Sequence, residues 1–137
     1  MNRLISSLVL AAVLVSAAGA TEPVSRTYNA PEARAWAVTE AVLKHLGWEI
    51  EKADRTIGWI TTRSRMIEGG DYGVYAKGTR HLLRVHVKGA ADNRSTVTVE
   101  RSLFNRERIL WMDKDEPIVK KDQEVEKGVL DAIGKSL

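Results

Sequence analysis

The chain has 137 residues, with 21 Lys+Arg against 18 Asp+Glu and no cysteine. A formal charge of +3 is too near balance to make a nucleic-acid surface. Without cysteine, a disulfide framework and a thiolate metal site are both excluded.

The first twenty residues read as a leader. Arg3 gives a positive start, Leu4 to Val15 is apolar apart from Ser6 and Ser7, and Ala18-Gly19-Ala20 supplies small residues for cleavage. The apolar run falls short of the roughly 20 residues that a membrane-crossing helix needs. Cleavage after Ala20, export and a periplasmic location are therefore expected. No cysteine follows the cut to carry a lipid, so the released residues 21–137 are expected to be soluble. That length suits one domain with its own core.

Val24 to Tyr28 is predicted as a first strand. Asn29 is placed to cap a helix, with Pro31 in its first turn. The helix is predicted over Pro31 to Leu46. Ala35, Val38, Val42 and Leu46 form its apolar stripe, Trp36, Ala41 and Leu43 flank it, and Gly47 stops it. The period then changes to two. Trp48, Ile50 and Lys52 alternate with Glu49 and Glu51, Ala53 to Thr56 turns, and Ile57 to Ser64 returns to complete a hairpin. Residues 66–78 carry Gly69, Gly70, Gly73 and Gly78 and are expected to form a loop or an irregular strand pair.

Arg80 to Lys88 reads as a strand, with Leu83, Val85 and Val87 on one face and Arg84, His86 and Lys88 on the other. After a turn at residues 89–94, Ser95 to Ser102 comes back with Val97 and Val99 against Thr96, Thr98 and Glu100. Asp113 to Glu116 lacks the EF-hand spacing and is expected to be a solvated loop. A last helix is predicted over Val119 to Ser136, where Val125, Val129, Ile133 and Leu137 step by four beside Leu130. Gly128 and Gly134 each weaken it by roughly 1 kcal/mol relative to alanine, so it depends on docking.

Hairpin-length connections predict an antiparallel sheet of four to six strands. Its apolar face needs a cover, which the two helices supply. The expected fold class is α+β, with an N-terminal and a C-terminal helix over one face of the sheet.

Several segments resemble a known family. They are Tyr28-Asn29-Ala30 leading into Ala35-Trp36-Ala37-Val38, Leu46-Gly47-Trp48-Glu49-Ile50, and the hairpin Asp54-Arg55-Thr56-Ile57-Gly58-Trp59-Ile60-Thr61-Thr62. Glu126, Val129, Leu130 and Ile133 near the end complete the set. The chain resembles the domains of BamC-like proteins, accessory lipoproteins of the outer-membrane β-barrel assembly machinery, over nearly all of residues 24–137. The resemblance implies a helix-grip fold and a non-enzymatic part in envelope assembly or binding. The chain departs from BamC in having one such domain and no lipid-bearing cysteine.

Catalytic signals are sparse. His45 lies near a helix end, and His81 and His86 point to opposite faces of one strand, where they cannot chelate together. No metal site and no cofactor are expected. Glu49 and Glu51 share a face, and ion pairs with Arg63, Arg84 or Lys88 suit them better than acid–base work across a substrate. A nucleophile elbow, a phosphate loop and a dinucleotide fingerprint are all missing.

The four tryptophans carry more. Trp36 and Trp48 are expected in the core. If Ile60 and Thr62 face the helices, Trp59 stands on the open sheet face with Arg63, Arg84, His86 and Lys88. That patch suits an envelope protein, peptidoglycan or lipid headgroups. Trp111, with Leu110 and Met112, is a second candidate at an exposed edge. The leading expectation is a non-catalytic periplasmic binding or accessory module. Its partner would be an envelope protein or an outer-membrane assembly component, with peripheral membrane contact open to it. The alternative is a carrier holding a small apolar ligand in a cavity lined by Val38, Val42, Val85 and Val129. An enzyme site near Tyr72 and Tyr75 ranks third.

Overall fold

The computed structural model describes residues 22–119 and 122–137. The expected leader and its cleavage point after Ala20 lie outside them, as do Lys120 and Lys121 of the expected last helix. In chain order the elements are β1 (Val24–Tyr28), α1 (Glu32–His45), β2 (Ile50–Asp54), β3 (Trp59–Thr62) and β4 (Arg65–Asp71). They continue with β5 (Tyr75–Ala90), β6 (Arg94–Ile109), β7 (Met112–Ile118) and α2 (Glu124–Ser136). All strand pairings are antiparallel. The fold is α+β and helix-grip-like, with one strand more than the expected maximum.

β5 and β6 pair without interruption from Tyr75–Ile109 to Ala90–Arg94. They form a spine that belongs to two half-sheets. At the proximal end the order is β1-β6-β5-β3-β2, and at the distal end β4 joins β5 and β7 joins β6. β3 and β4 follow one another along the same edge of β5. At the break between them Thr62 Oγ1 accepts the Leu83 N–H at 2.9 Å, and Arg80 donates to the hydroxyl and the carbonyl of Ser64.

The alternating residues Leu83, Val85 and Val87 of β5 and Val97 and Val99 of β6 are buried with Ile60. Ala35, Trp36, Val42 and Leu43 of α1 and Val129, Leu130 and Ile133 of α2 join the same core. A period of two on the strands therefore meets a period of 3.6 on the helices across one interface. Trp36 and Trp48 are in this core, as expected. Tyr28 joins β1 to α2, donating its hydroxyl to the Leu130 carbonyl at 2.5 Å, and burial raises its pKa.

Several boundaries differ from the sequence reading. Pro31, not Asn29, is the N-cap of α1, and no side chain caps the helix. The buried Ala30 carbonyl accepts from Ser95 Oγ at 2.7 Å, which fixes the chain just before the helix and leaves Asn29 exposed. The α1 stripe is Ala35, Trp36, Thr39, Val42 and Leu43. Val38 is only half-buried, and Leu46 is exposed because the helix ends before it. Gly47 follows at a φ of +85°, the left-handed stop that the sequence predicts.

Residues 66–78 form β4 and the start of β5, with a register shift between Met66 and Glu68. The bare backbones of Gly69 and Gly78 cross there, and a Cβ on Gly78 would sit 2.4 Å from the Glu68 carbonyl oxygen. The expected solvated loop Asp113 to Glu116 is instead part of strand β7. Its polar side chains pair across to β6, Arg106 Nε with Asp115 Oδ1 at 2.8 Å and Arg108 Nε with Asp113 Oδ1 at 2.7 Å. Arg108 thereby holds the Asp113 carboxyl below the usual carboxylate range. The last helix begins at Glu124 rather than Val119, which is exposed.

Arg101 takes an inward position of β6 where the alternation would place another apolar residue. Its Nε lies 2.8 Å from Glu126 Oε1 on α2, and both side chains are buried. A second nitrogen of the guanidinium reaches Asp122 Oδ1 at 3.1 Å. A buried charge needs such partners, so the pair fixes where α2 docks on the sheet.

Candidate functional site

Because Ile60 and Thr62 are fully buried beneath the helices, Trp59 and Thr61 face the opposite way. Register then decides their neighbours. Trp59 stands opposite His86 and Thr61 opposite Arg84. The Trp59 and His86 rings stack with centroids 4.5 Å apart and an interplanar angle of 22°. The Arg84 guanidinium carbon lies 4.8 Å from the Trp59 ring centroid. Gly58, at a φ of +77°, lets the β2–β3 turn settle against β5, since a Cβ there would meet the Val87 carbonyl at 2.4 Å. The turn is closed by Gly58 N–H to the Asp54 carbonyl at 2.9 Å and Thr56 N–H to Asp54 Oδ1 at 3.0 Å.

Of the five residues predicted for this face, the structure brings Trp59, Arg84 and His86 into contact. Arg63 stands one residue past β3 and turns to Glu49, with Nε 3.4 Å from Oε1; this is one of the ion pairs the sequence predicts. Lys88 is exposed at the far end of the face, opposite Thr96. Two features were not anticipated. Lys52 shares the row of Thr61 and Arg84. A hydroxyl ladder extends the face over β6 and β1, through Thr98 to Ser25 at 2.7 Å and Thr96 to Thr27 at 2.9 Å. The pairing of β1 with β6 creates that ladder, and nothing local in either segment announces it.

The face thus offers an indole stacked on an imidazole with a guanidinium over its ring, Lys52 and Lys88 on the same side of the sheet, and hydroxyls alongside. Such a surface can pack its aromatic edges against a partner and pair its cations with acidic groups. His81 lies on the other side of the sheet, its ring 4.7 Å from Trp48. Among the described residues no cluster of three or more His, Cys, Asp or Glu could hold a metal ion. Trp111 lies at the opposite end of the molecule, in the β6–β7 turn, and is 84% exposed. Tyr72 and Tyr75 are at the distal end too. A groove of about 1040 Å³ runs along the distal half-sheet, lined by Lys77, Thr79, Asn105, Glu107, Lys114 and Glu116 among others.

No family model and no curated protein matches this chain. Solved structures are similar to it in outline. One is an uncharacterised protein from Bacillus thuringiensis, at 14% identity and a TM-score of 0.38, over 84% of this chain and 96% of that one. Another is Ara h 8.0201, at 15% identity and a TM-score of 0.40, over 84% and 95%. At those scores neither likeness bears on function, and the α+β fold stands on the strands and helices described above.

Proposed function

We propose that this protein is a non-catalytic binding module of the cell envelope that works through the open sheet face at Trp59. The observation that carries the proposal is the stack of Trp59 on His86 beside Arg84, on the side of the sheet opposite both helices. A half-exposed tryptophan with adjacent cations is the composition of a contact centre rather than of a solvated strand. The leader-like residues 1–20 and the BamC-like segments support an exported setting and an accessory part in outer-membrane protein assembly.

The carrier reading asks for open volume bounded by Val38, Val42, Val85 and Val129. Val42, Val85 and Val129 belong to one packed cluster with Leu43, Leu83 and Leu130, and Val38 packs at its margin. The groove lies elsewhere, on the distal half-sheet, so the binding-face reading is preferred.

Surface binding to the purified outer-membrane assembly complex tests the proposal. Wild-type protein should bind, and Trp59→Ala and Arg84→Ala should each weaken binding about tenfold or more while leaving the fold intact. Absence of binding removes the assembly role. Equal binding by the two variants removes this face as the site.

A further inference from the structure

The β6–β7 connection is a two-residue turn, Leu110-Trp111, closed by the pairing of Ile109 with Met112. Turns of this kind favour Asn, Asp or Gly, because their backbone adopts a positive φ at small cost. The three-residue β5–β6 turn shows the same preference, with Asp92 and Asn93 both at a φ of +59°. Leu110 has the same φ of +59°, which a leucine reaches only under strain. Turn geometry therefore disfavours the residues that stand there. They are also displayed, Leu110 at 54% and Trp111 at 84% exposure.

A second turn lies beside the first. Tyr75 pairs with Ile109, so the β4–β5 turn, with Tyr72 and Val74 well exposed, adjoins Leu110-Trp111. Behind both turns Arg108 reaches Asp113 at 2.7 Å and Asp71 at 3.5 Å, tying one hairpin to the other. Over β4, β7 and the parts of β5 and β6 that pair with them the arm is charge-balanced: the acids Glu68, Asp71, Glu107, Asp113, Asp115 and Glu116 are matched by Arg65, Lys77, Arg80, Arg106, Arg108 and Lys114. A strongly acidic or basic partner finds no complementary field at such an end. Aromatic rings with polar edges, aliphatic tips and internally paired charges are what the interfacial layer of a bilayer accepts.

We propose that these two adjoining turns seat in the interfacial layer of a lipid bilayer, with Leu110 and Trp111 entering deepest. The surface is separate from the Trp59 face, and the proposal does not rest on the function argued for that face.

The test uses the full chain with vesicles of phosphatidylethanolamine and phosphatidylglycerol containing brominated phosphatidylcholine. Tryptophan fluorescence should be quenched, and Trp111→Phe should remove the quenched component while the protein still floats with the vesicles. The reading is taken at Trp111 itself, so attachment through residues 1–20 leaves it unmoved. Leu110→Asp, which keeps Trp111 as the reporter, should abolish the tip's entry, read as loss of the quenching. Leu110→Gly with Trp111→Ser, which relaxes the turn, should retain the fold and lower vesicle partition about tenfold. Salt at about 0.5 M should leave the quenching intact. An unquenched Trp111 overturns the proposal. So does quenching that disappears in salt or in Arg84→Glu with Lys88→Glu, which would place the contact on the open face. Self-association that shields Trp111 from lipid and is lost in the tip variants would assign the turns to a second copy instead.

Discussion

Glu126 and Arg101 face each other inside the protein, with Asp122 as a second, more exposed partner of the guanidinium. Glu126→Ala takes from the buried guanidinium its one fully buried counter-charge and leaves it the half-exposed Asp122, so it should cost about 3 kcal/mol, read as a lowered urea midpoint. Replacing both, with Arg101→Met and Glu126→Leu, should recover most of that loss. The tryptophans divide in the same measurement. Trp36→Ala and Trp48→Ala each empty a core site and should cost about 3–5 kcal/mol. Trp59→Ala gives up a half-exposed stack and a cation contact, at about 1 kcal/mol. Tyr28 supplies a pH signature. Its buried hydroxyl has a raised pKa in the folded state, so its contribution is complete below the ordinary tyrosine value near 10. As pH climbs above that value the unfolded chain ionises first and stability falls. Tyr28→Phe should abolish this alkaline component, at the expense of about 1 kcal/mol of hydrogen bonding at neutral pH.

At the scale of elements, the turns are the sharpest targets. Leu110→Gly removes the cost of a leucine at positive φ and should stabilise the β6–β7 hairpin by up to about 1 kcal/mol, seen as a higher Tm. Gly58→Ala should do the opposite and loosen the Trp59–His86 stack, because its methyl group runs into the Val87 carbonyl. The elements also show what a sequence can reveal. β1, α1, the hairpin through Trp59 and the alternation of Leu83, Val85, Val87, Val97 and Val99 were legible, because each has one wet and one dry side. That alternation also placed Trp59, Arg84 and His86 on one face. β7 was not legible, and β4 was legible only as one of two alternatives, the irregular strand pair. Glu68-Gly69-Gly70 and Asp113 to Glu116 have no apolar period, since the distal sheet has no helix over it and its strands are joined by ion pairs. Glu126 was hidden for another reason: its inward place makes sense only beside Arg101, 25 residues away. Register shifts at Ile50/Lys52 and Met66/Glu68 break the alternation that would have set the ends of β2 and β4.

Across the whole molecule, packing is uneven. The proximal half-sheet carries both helices and the hydrophobic cluster, while β4 and β7 at the other end are held by backbone pairing, glycine contact and charge. Local opening should follow that division. Native-state hydrogen exchange should show amides of β4 and β7 opening at clearly lower free energy than those of β5 residues 83–87, and uniform protection would contradict this. The unbroken pairing of β5 with β6 has a last consequence. His86 and Tyr75 lie on one strand, and at about 3.3 Å per residue their separation is roughly 35 Å. The spine therefore acts as a ruler. Two bodies, one resting on the indole of Trp59 and one meeting Trp111, are kept apart by a fixed gauge and can be engaged at once without colliding.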